Sequence, residues 1–325
     1  MSTGRTGVIV MAYGTPRDLD DVEAYYTDIR RGRPPTAEQL DELIGRYRAI
    51  GGVSPLALRT EAQRAAIEAA LVAHHASGRS GGPVESFEVV LGQKHSAPFV
   101  EDAVRGLAEG GVTKAVGIVL APHFSRGGVG QYHERAAKAA ADRGVAYTAI
   151  ESWHLEPAYL DFLAGALGDA RATLPERTKV LFTAHSLPLR SLVGDPYPDQ
   201  LRESATAVAE RVGLLPWPDW AIAWQSAGRT PEPWQGPDIL EVIRRLGATG
   251  RAEGVLVCPQ GFTSDHLEVL YDLDIEATEV AAGVGLAFAR TRSLNDDATV
   301  MAALADRIAA MATTATAATT PSSAG

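Results

Sequence analysis

Three carboxylates, Glu268, Asp272 and Glu276, stand four residues apart between positions 264 and 276. On a helix that interval places them in one ladder. The residues between them are largely apolar, so the segment is not a charge-rich surface stretch. Just before it, Val255-Leu256-Val257-Cys258 reads as a buried strand. The ladder would then begin where a strand ends, which is where α/β proteins carry their chemistry. Acids lining such a crevice could escort a cation. The ordinary reading of carboxylates at this spacing is an acidic face in water, and like charges there weaken a helix slightly.

Other apolar runs also end in polar or titratable groups. They deliver Tyr13-Gly14-Thr15, Gln93-Lys94-His95, Pro122-His123-Phe124-Ser125, His185-Ser186-Leu187-Pro188 and Gln225-Ser226. His185 is the best placed of the histidines, because Val180-Leu181-Phe182-Thr183 before it is strongly apolar and Pro188 ends the turn. His95 and His123 read equally well as hydrogen-bonded loop residues. Imidazole with carboxylate suits Fe2+ or Zn2+, and it suits proton transfer near neutral pH. Residues 25–35 are basic and aromatic in an otherwise acidic chain, and Arg46-Tyr47 and Gly51-Gly52-Val53-Ser54 follow. Arginines fork onto carboxylates or phosphates, and tyrosines stack on flat rings; a solvated loop is the alternative. Gly127-Gly128-Val129-Gly130 matches neither GxGxxG nor a P-loop and reads as a flexible loop. G-x-S-x-G and HExxH are missing.

Positioning these groups requires strands. Eight short runs qualify, at 8–12, 87–91, 115–120, 146–150, 179–183, 221–224, 254–258 and 285–289. Most are continuous Val, Ile, Leu and Ala, as in strands covered on both faces. Stretches with helical periodicity separate them, which predicts an α/β fold with parallel sheets. The 325 residues suit two domains, expected at 1–155 and 156–311 with four strands each and a cleft between. A last helix at 298–311 could pack back on the first domain. Residues 312–325 are rich in Ala, Thr and Ser and read as a disordered tail. The net charge of −10 argues against nucleic acid and anionic membrane. No apolar run approaches the roughly 20 residues of a membrane span. The first residues lack a secretory apolar region, so a cytoplasmic protein is expected. A single cysteine, Cys258, excludes an internal disulfide and a cysteine-built cluster.

Met11-Ala12-Tyr13-Gly14-Thr15-Pro16, the segment 25–33, Arg46-Tyr47, Gly51-Gly52-Val53-Ser54-Pro55-Leu56, Thr183-Ala184-His185-Ser186-Leu187-Pro188, Gly194-Asp195-Pro196-Tyr197, Trp224-Gln225-Ser226 and Asp265-His266-Leu267-Glu268 together resemble the ferrochelatases. The resemblance is closest to the soluble coproporphyrin III ferrochelatases of Gram-positive bacteria and spans almost the whole chain. It implies two Rossmann-like domains, each a four-stranded parallel sheet flanked by helices, around a porphyrin cleft. It implies insertion of Fe2+ into coproporphyrin III with release of two protons. His185 and Glu268 match the pair that binds the incoming iron and takes part in proton removal, and Asp272 and Glu276 match the acidic path behind them. Tyr13 matches an axial ligand to the product iron. Arg30, Arg46, Tyr47 and Ser54 match positions holding the macrocycle and its propionates, and Tyr132 aligns with another porphyrin contact.

Two departures refine the expectation. Some relatives carry an iron–sulfur cluster on cysteines, which Cys258 by itself does not permit, so iron is expected as a substrate and no permanent cofactor. The stretch 29–50 is rich in Arg, Glu and Asp where animal relatives have an apolar lip. That favours a soluble enzyme and the four-propionate coproporphyrin over protoporphyrin IX. A monomer with transient contact to the next haem-pathway enzyme is expected. A sirohydrochlorin or cobalt chelatase and a haem carrier are the competing functions.

Overall fold

The computed structural model describes residues 5–76, 86–228 and 230–318. Eight strands form two sheets among these residues: β1 (Arg5–Ala12), β2 (Ser86–Gln93), β3 (Lys114–Val119) and β4 (Ala146–Ile150) in the first, and β5 (Thr178–His185), β6 (Trp220–Gln225), β7 (Gly254–Cys258) and β8 (Ala287–Arg290) in the second. Every pairing is parallel. The spatial orders are β2-β1-β3-β4 and β6-β5-β7-β8, so both sheets follow one winding rule.

The strand sequences explain their depth. In β1, Val8, Ile9, Val10 and Met11 are fully buried. Because side chains alternate across a strand, Val8 and Val10 enter the core lined by α3 (Leu56–Ala76), α6 (Pro157–Arg171) and α10 (Ala298–Ala318). Ile9 and Met11 enter the core under α4 (Val100–Glu109) and α5 (Gln131–Ala141). β5 repeats the pattern: Val180 and Phe182 join the first of these cores, and Leu181 packs beneath α8 (Ile239–Thr249). The core containing Val8 and Val180 is thus shared by the two sheets, with α7 (Tyr197–Arg211) packed against α6.

Three sequence expectations change. The basic aromatic segment is not a loop: α1 (Val22–Ile29) carries its tyrosines, and α2 (Ala37–Ala49) follows behind a Thr36–Gln39 capping box. The Gly127–Gly130 stretch is a wide helical turn, Arg126–Gly130, tied down by Gly128 N–H donating to Ser125 Oγ at 3.0 Å. The last helix continues past 311 to Ala318 and lies along α3, β3 and β4 of the first sheet. Alanine is the best helix former, and Ala312 is buried against that sheet, so the low-complexity composition is helical through 318. The rest of the expected tail, 319–325, lies outside the described residues. Among the described residues, no helix is long and apolar enough to cross a membrane.

Candidate active site

In an open parallel sheet the crevice forms at the carboxyl ends of the strands where the order reverses. Here that point lies between β1 and β3 in one sheet and between β5 and β7 in the other. Tyr13 follows β1, His185 ends β5, and Glu268 follows the turn after β7.

β5 holds its end in register with β6, pairing His185 with Gln225. The His185 Nδ1–H donates to the Ser186 carbonyl, and Tyr197 Oη donates to the His185 carbonyl at 3.3 Å. That leaves Nε2 facing the cleft, 3.5 Å from Glu268 Oε1. The other carboxylate oxygen of Glu268 lies 3.6 Å from His266 Nε2, whose Nδ1–H donates to the Ser264 carbonyl at 2.9 Å. One carboxylate is therefore bracketed by two imidazoles. His185 and Glu268 are 35% and 34% exposed, open to a ligand in the cleft.

The turn that carries Glu268 is fixed by its neighbours. Gly261 N–H donates to the Thr183 carbonyl at 3.0 Å, and a Cβ at Gly261 would lie 2.5 Å from the Ala184 methyl, so only glycine permits this approach to β5. Asp265 accepts from Ser293 Oγ at 2.8 Å, Asn295 Nδ2 at 2.9 Å and Arg290 at 3.2 Å. Its carboxyl sits below the usual range: burial opposes the charge, but these donors outweigh it.

Charge follows from this geometry. Burial would lower the His185 pKa, but Glu268, the Ser186 carbonyl and Asp272 raise it to about 9. Burial would raise Glu268, but His185 and His266 hold it well below the usual carboxylate range. The pair is therefore imidazolium and carboxylate near neutral pH.

The ladder differs in local structure from the expected α-helix. Val269–Ala277 is a π-helix, which closes its hydrogen bonds one residue later. α9 (Thr278–Gly283) continues from it. A four-residue step then falls just short of a turn, and the three acids keep a common side. Asp272 is 6% exposed, accepts from Ser226 Oγ, and faces the Arg46 guanidinium at 3.7 Å. Burial and the Glu268 charge push its carboxyl up to about 7, against Ser226 and Arg46. Glu276 is half-buried at the outer end.

The first sheet supplies the facing wall. Tyr13 is 43% exposed, and burial with the Glu268 charge raises its phenol strongly, which places it in electrostatic reach of the pair. Arg46 also stacks over Tyr271 at 4.9 Å, and Arg30 over Tyr26 at 5.5 Å. Tyr47 and Tyr132 are buried in the wall. Ser54 is buried too, its Oγ accepting from Leu56 N–H at 3.2 Å at the start of α3. The other histidines divide: His95 contacts Tyr13, whereas His123 is buried and bonded to Ser204 at 2.8 Å. Sequence reading named Lys94 and His266 within their segments and gave neither a role. Lys94 lies 5.0 Å over the Tyr132 ring, and burial with Arg135 and Arg31 lowers it to about 8. The signal for His266 was its place two residues before Glu268.

The two-sheet α/β frame thus carries a histidine–carboxylate pair at the switch point of one sheet and Tyr13 at that of the other, and imidazole with carboxylate suits metal and proton transfer. The Ferrochelatase family model matches residues 5–312. Coproporphyrin III ferrochelatase of Geobacillus sp. (strain WCH70) is 43% identical over 312 residues, covering 94% of this chain and 97% of that protein. Coproporphyrin III ferrochelatase of Bacillus subtilis (strain 168) is 42% identical, covering 91% and 94%. The solved SirB from Bacillus subtilis with Fe3+ shares the fold, with a TM-score of 0.57 at 11% identity over 97% of this chain and 98% of that one. The chain belongs to the ferrochelatase family.

Proposed function

We propose that this protein inserts Fe2+ into coproporphyrin III, giving coproheme and two protons. The carrying observation is the His185–Glu268 pair at one switch point facing Tyr13 at the other, in a chain over 40% identical to coproporphyrin III ferrochelatases along nearly its whole length. Iron enters as substrate; with Cys258 the single cysteine, no iron–sulfur cluster is assigned. Arg30, Arg46, Tyr47, Ser54 and Tyr132 hold the macrocycle, the arginines meeting its propionates.

The two pyrrole protons must leave as the metal arrives. Glu268 carries negative charge and receives the cation first. The cation's charge then drives the proton from His185 Nε2, because a proton and an ion compete for one lone pair. Asp272, near half-protonation at neutral pH, and Glu276 beyond it accept that proton and pass it outward. As the ion passes into the ring, Nε2 is free again; it takes the two pyrrole protons in turn and hands each to Asp272 and Glu276. On this reading the enzyme works as a cytoplasmic monomer and passes coproheme on by transient contact.

The test is an anaerobic assay offering Fe2+ with coproporphyrin III and protoporphyrin IX in parallel. Coproporphyrin III should be metallated at least about tenfold more efficiently, a difference of ~1.4 kcal/mol. A protoporphyrin preference would overturn the substrate assignment. His185→Ala should lose insertion by about a hundredfold or more while still binding porphyrin; normal turnover would remove it from the chemistry.

A further inference from the structure

The wall around Tyr13 is built more closely than a porphyrin contact needs. Its carbonyl accepts from His95 N–H at 3.0 Å. The next residue, Gly14, has φ +90°, and a Cβ there would lie 2.3 Å from Ser96 Oγ. The Gly14 carbonyl accepts from Tyr25 Oη at 3.1 Å, and Thr15 N–H donates to Ser96 Oγ at 3.2 Å. The backbone that launches the phenol is thus held from α1 and from the end of β2. The ring itself meets the His95 imidazole edge-on, with centroids 4.6 Å apart and planes at 60°. That imidazole is in turn pinned by Asp28 of α1, Nδ1 to Oδ2 at 2.7 Å. Asp28 is exposed, His95 is mostly covered, and Tyr13 opens into the cleft.

A phenol that ligates a metal at the ring centre must hold its oxygen along one direction, and a tyrosine has two torsions by which to lose it. A neighbouring ring that could itself turn would not prevent this. Asp28 removes that freedom from His95 in the way outer partners orient metal-binding side chains.

We propose that His95 and Asp28 are positioning residues for Tyr13: Asp28 fixes the His95 ring, and the His95 ring aims the Tyr13 oxygen at the iron of the product. The proposal rests on the reading of Tyr13 as axial ligand. The competing role is a staple joining α1 to the end of β2, with no effect on ligation.

The two are separated by binding ferric coproporphyrin III to the purified full-length protein and recording its absorption and resonance Raman spectra. Tyr13→Phe defines the signature of tyrosinate ligation by its loss. His95→Ala and Asp28→Ala should lose most of that signature and bind ferric coproporphyrin III about fivefold more weakly, or ~1 kcal/mol. Asp28→Asn keeps an acceptor oxygen for Nδ1–H and should retain it. His95→Phe keeps an edge in place without the bond to Asp28, and should give a mixed spectrum should the alanine variant not fold. Variants at His95 and Asp28 with the wild-type spectrum, whatever their melting temperatures, would overturn the proposal and leave Tyr13 as ligand. A Tyr13→Phe spectrum identical to wild type would instead remove the axial reading on which the proposal stands.

Discussion

Replacing Glu268 by glutamine should release the proton that the pair holds on His185. Burial disfavours the imidazolium, yet the carboxylate at 3.5 Å, with the Ser186 carbonyl and Asp272, raises His185 from 6.5 to about 9. That rise corresponds to roughly 3 kcal/mol in favour of the charged form. With about a third of each side chain open to solvent, screening leaves about 1 kcal/mol as folding stability. The folded pKa is the higher one. The contribution is therefore complete below pH 6.5 and is lost as the pH rises through about 9. In Glu268→Gln the burial stays and the opposing charge goes, so His185 should titrate at or below 6.5. NMR titration of the imidazole in the porphyrin-free protein reads this directly. Calorimetry of Zn2+ binding in buffers of different ionisation enthalpy gives a second readout. At mildly alkaline pH the wild-type site should release about one proton per ion from His185, and the variant almost none. An imidazole still titrating near 9 in the variant would refute the claim that Glu268 holds the proton.

Asp272→Asn frees Arg46 from its buried partner. Coproporphyrin III should then bind about threefold to fivefold more tightly by fluorescence quenching, the worth of one ion pair of ~1 kcal/mol; weaker or equal binding would show that the pair does not compete with a propionate. Gly14→Ala puts a methyl on Ser96 at φ +90°, and urea unfolding should record a loss of about 1–3 kcal/mol, with no loss meaning that the turn relaxes freely. Asp265→Ala leaves Ser293 and Asn295 without their acceptor. It should cost ~3 kcal/mol and reduce metal insertion more than porphyrin affinity, whereas an equal fall in both would deny the turn its part in placing Glu268.

The frame was legible because burial on both faces leaves so plain a mark: each strand is a short apolar run between helical periods, and each of the eight runs holds a strand, the last beginning only at Ala287. The ladder was legible as spacing and not as geometry. Whether Val269–Ala277 closes its bonds at four residues or five is decided by packing, with Val269, Leu273 and Ala277 held in the core below β7, and spacing carries no trace of that choice. Ser54 shows the opposite limit. A serine before a helix is first of all a cap, and its Oγ is engaged there, so any propionate contact must come from the hydroxyl hydrogen. The tail misled because Ala and Thr without charge describe a solvated coil and a packed helix equally well; the sheet beneath Ala312 decides it.

Pairing between the halves was the least accessible part, and the function depends on it. Tyr13 follows and His185 ends the equivalent strand of two sheets wound by one rule, β1 in β2-β1-β3-β4 and β5 in β6-β5-β7-β8. Each therefore sits at the switch point of its own sheet, where a crevice forms whatever the side chains are. Contacts between the halves then bring the two crevices together: Thr263 Oγ1 donates to the Leu120 carbonyl at 2.8 Å, Ser264 Oγ to Gln63 at 3.1 Å, and Arg46 meets Asp272. A flat macrocycle has two faces, and metal insertion asks for different chemistry on each: a base and a cation path on one, a ligand for the finished product on the other. Two opposed switch points supply two independently placed walls. On the proposed roles, the acid ladder and the tyrosine have separate neighbours, Asp265 and His266 on one side and His95 and Asp28 on the other, with the Glu268 charge as the field common to both.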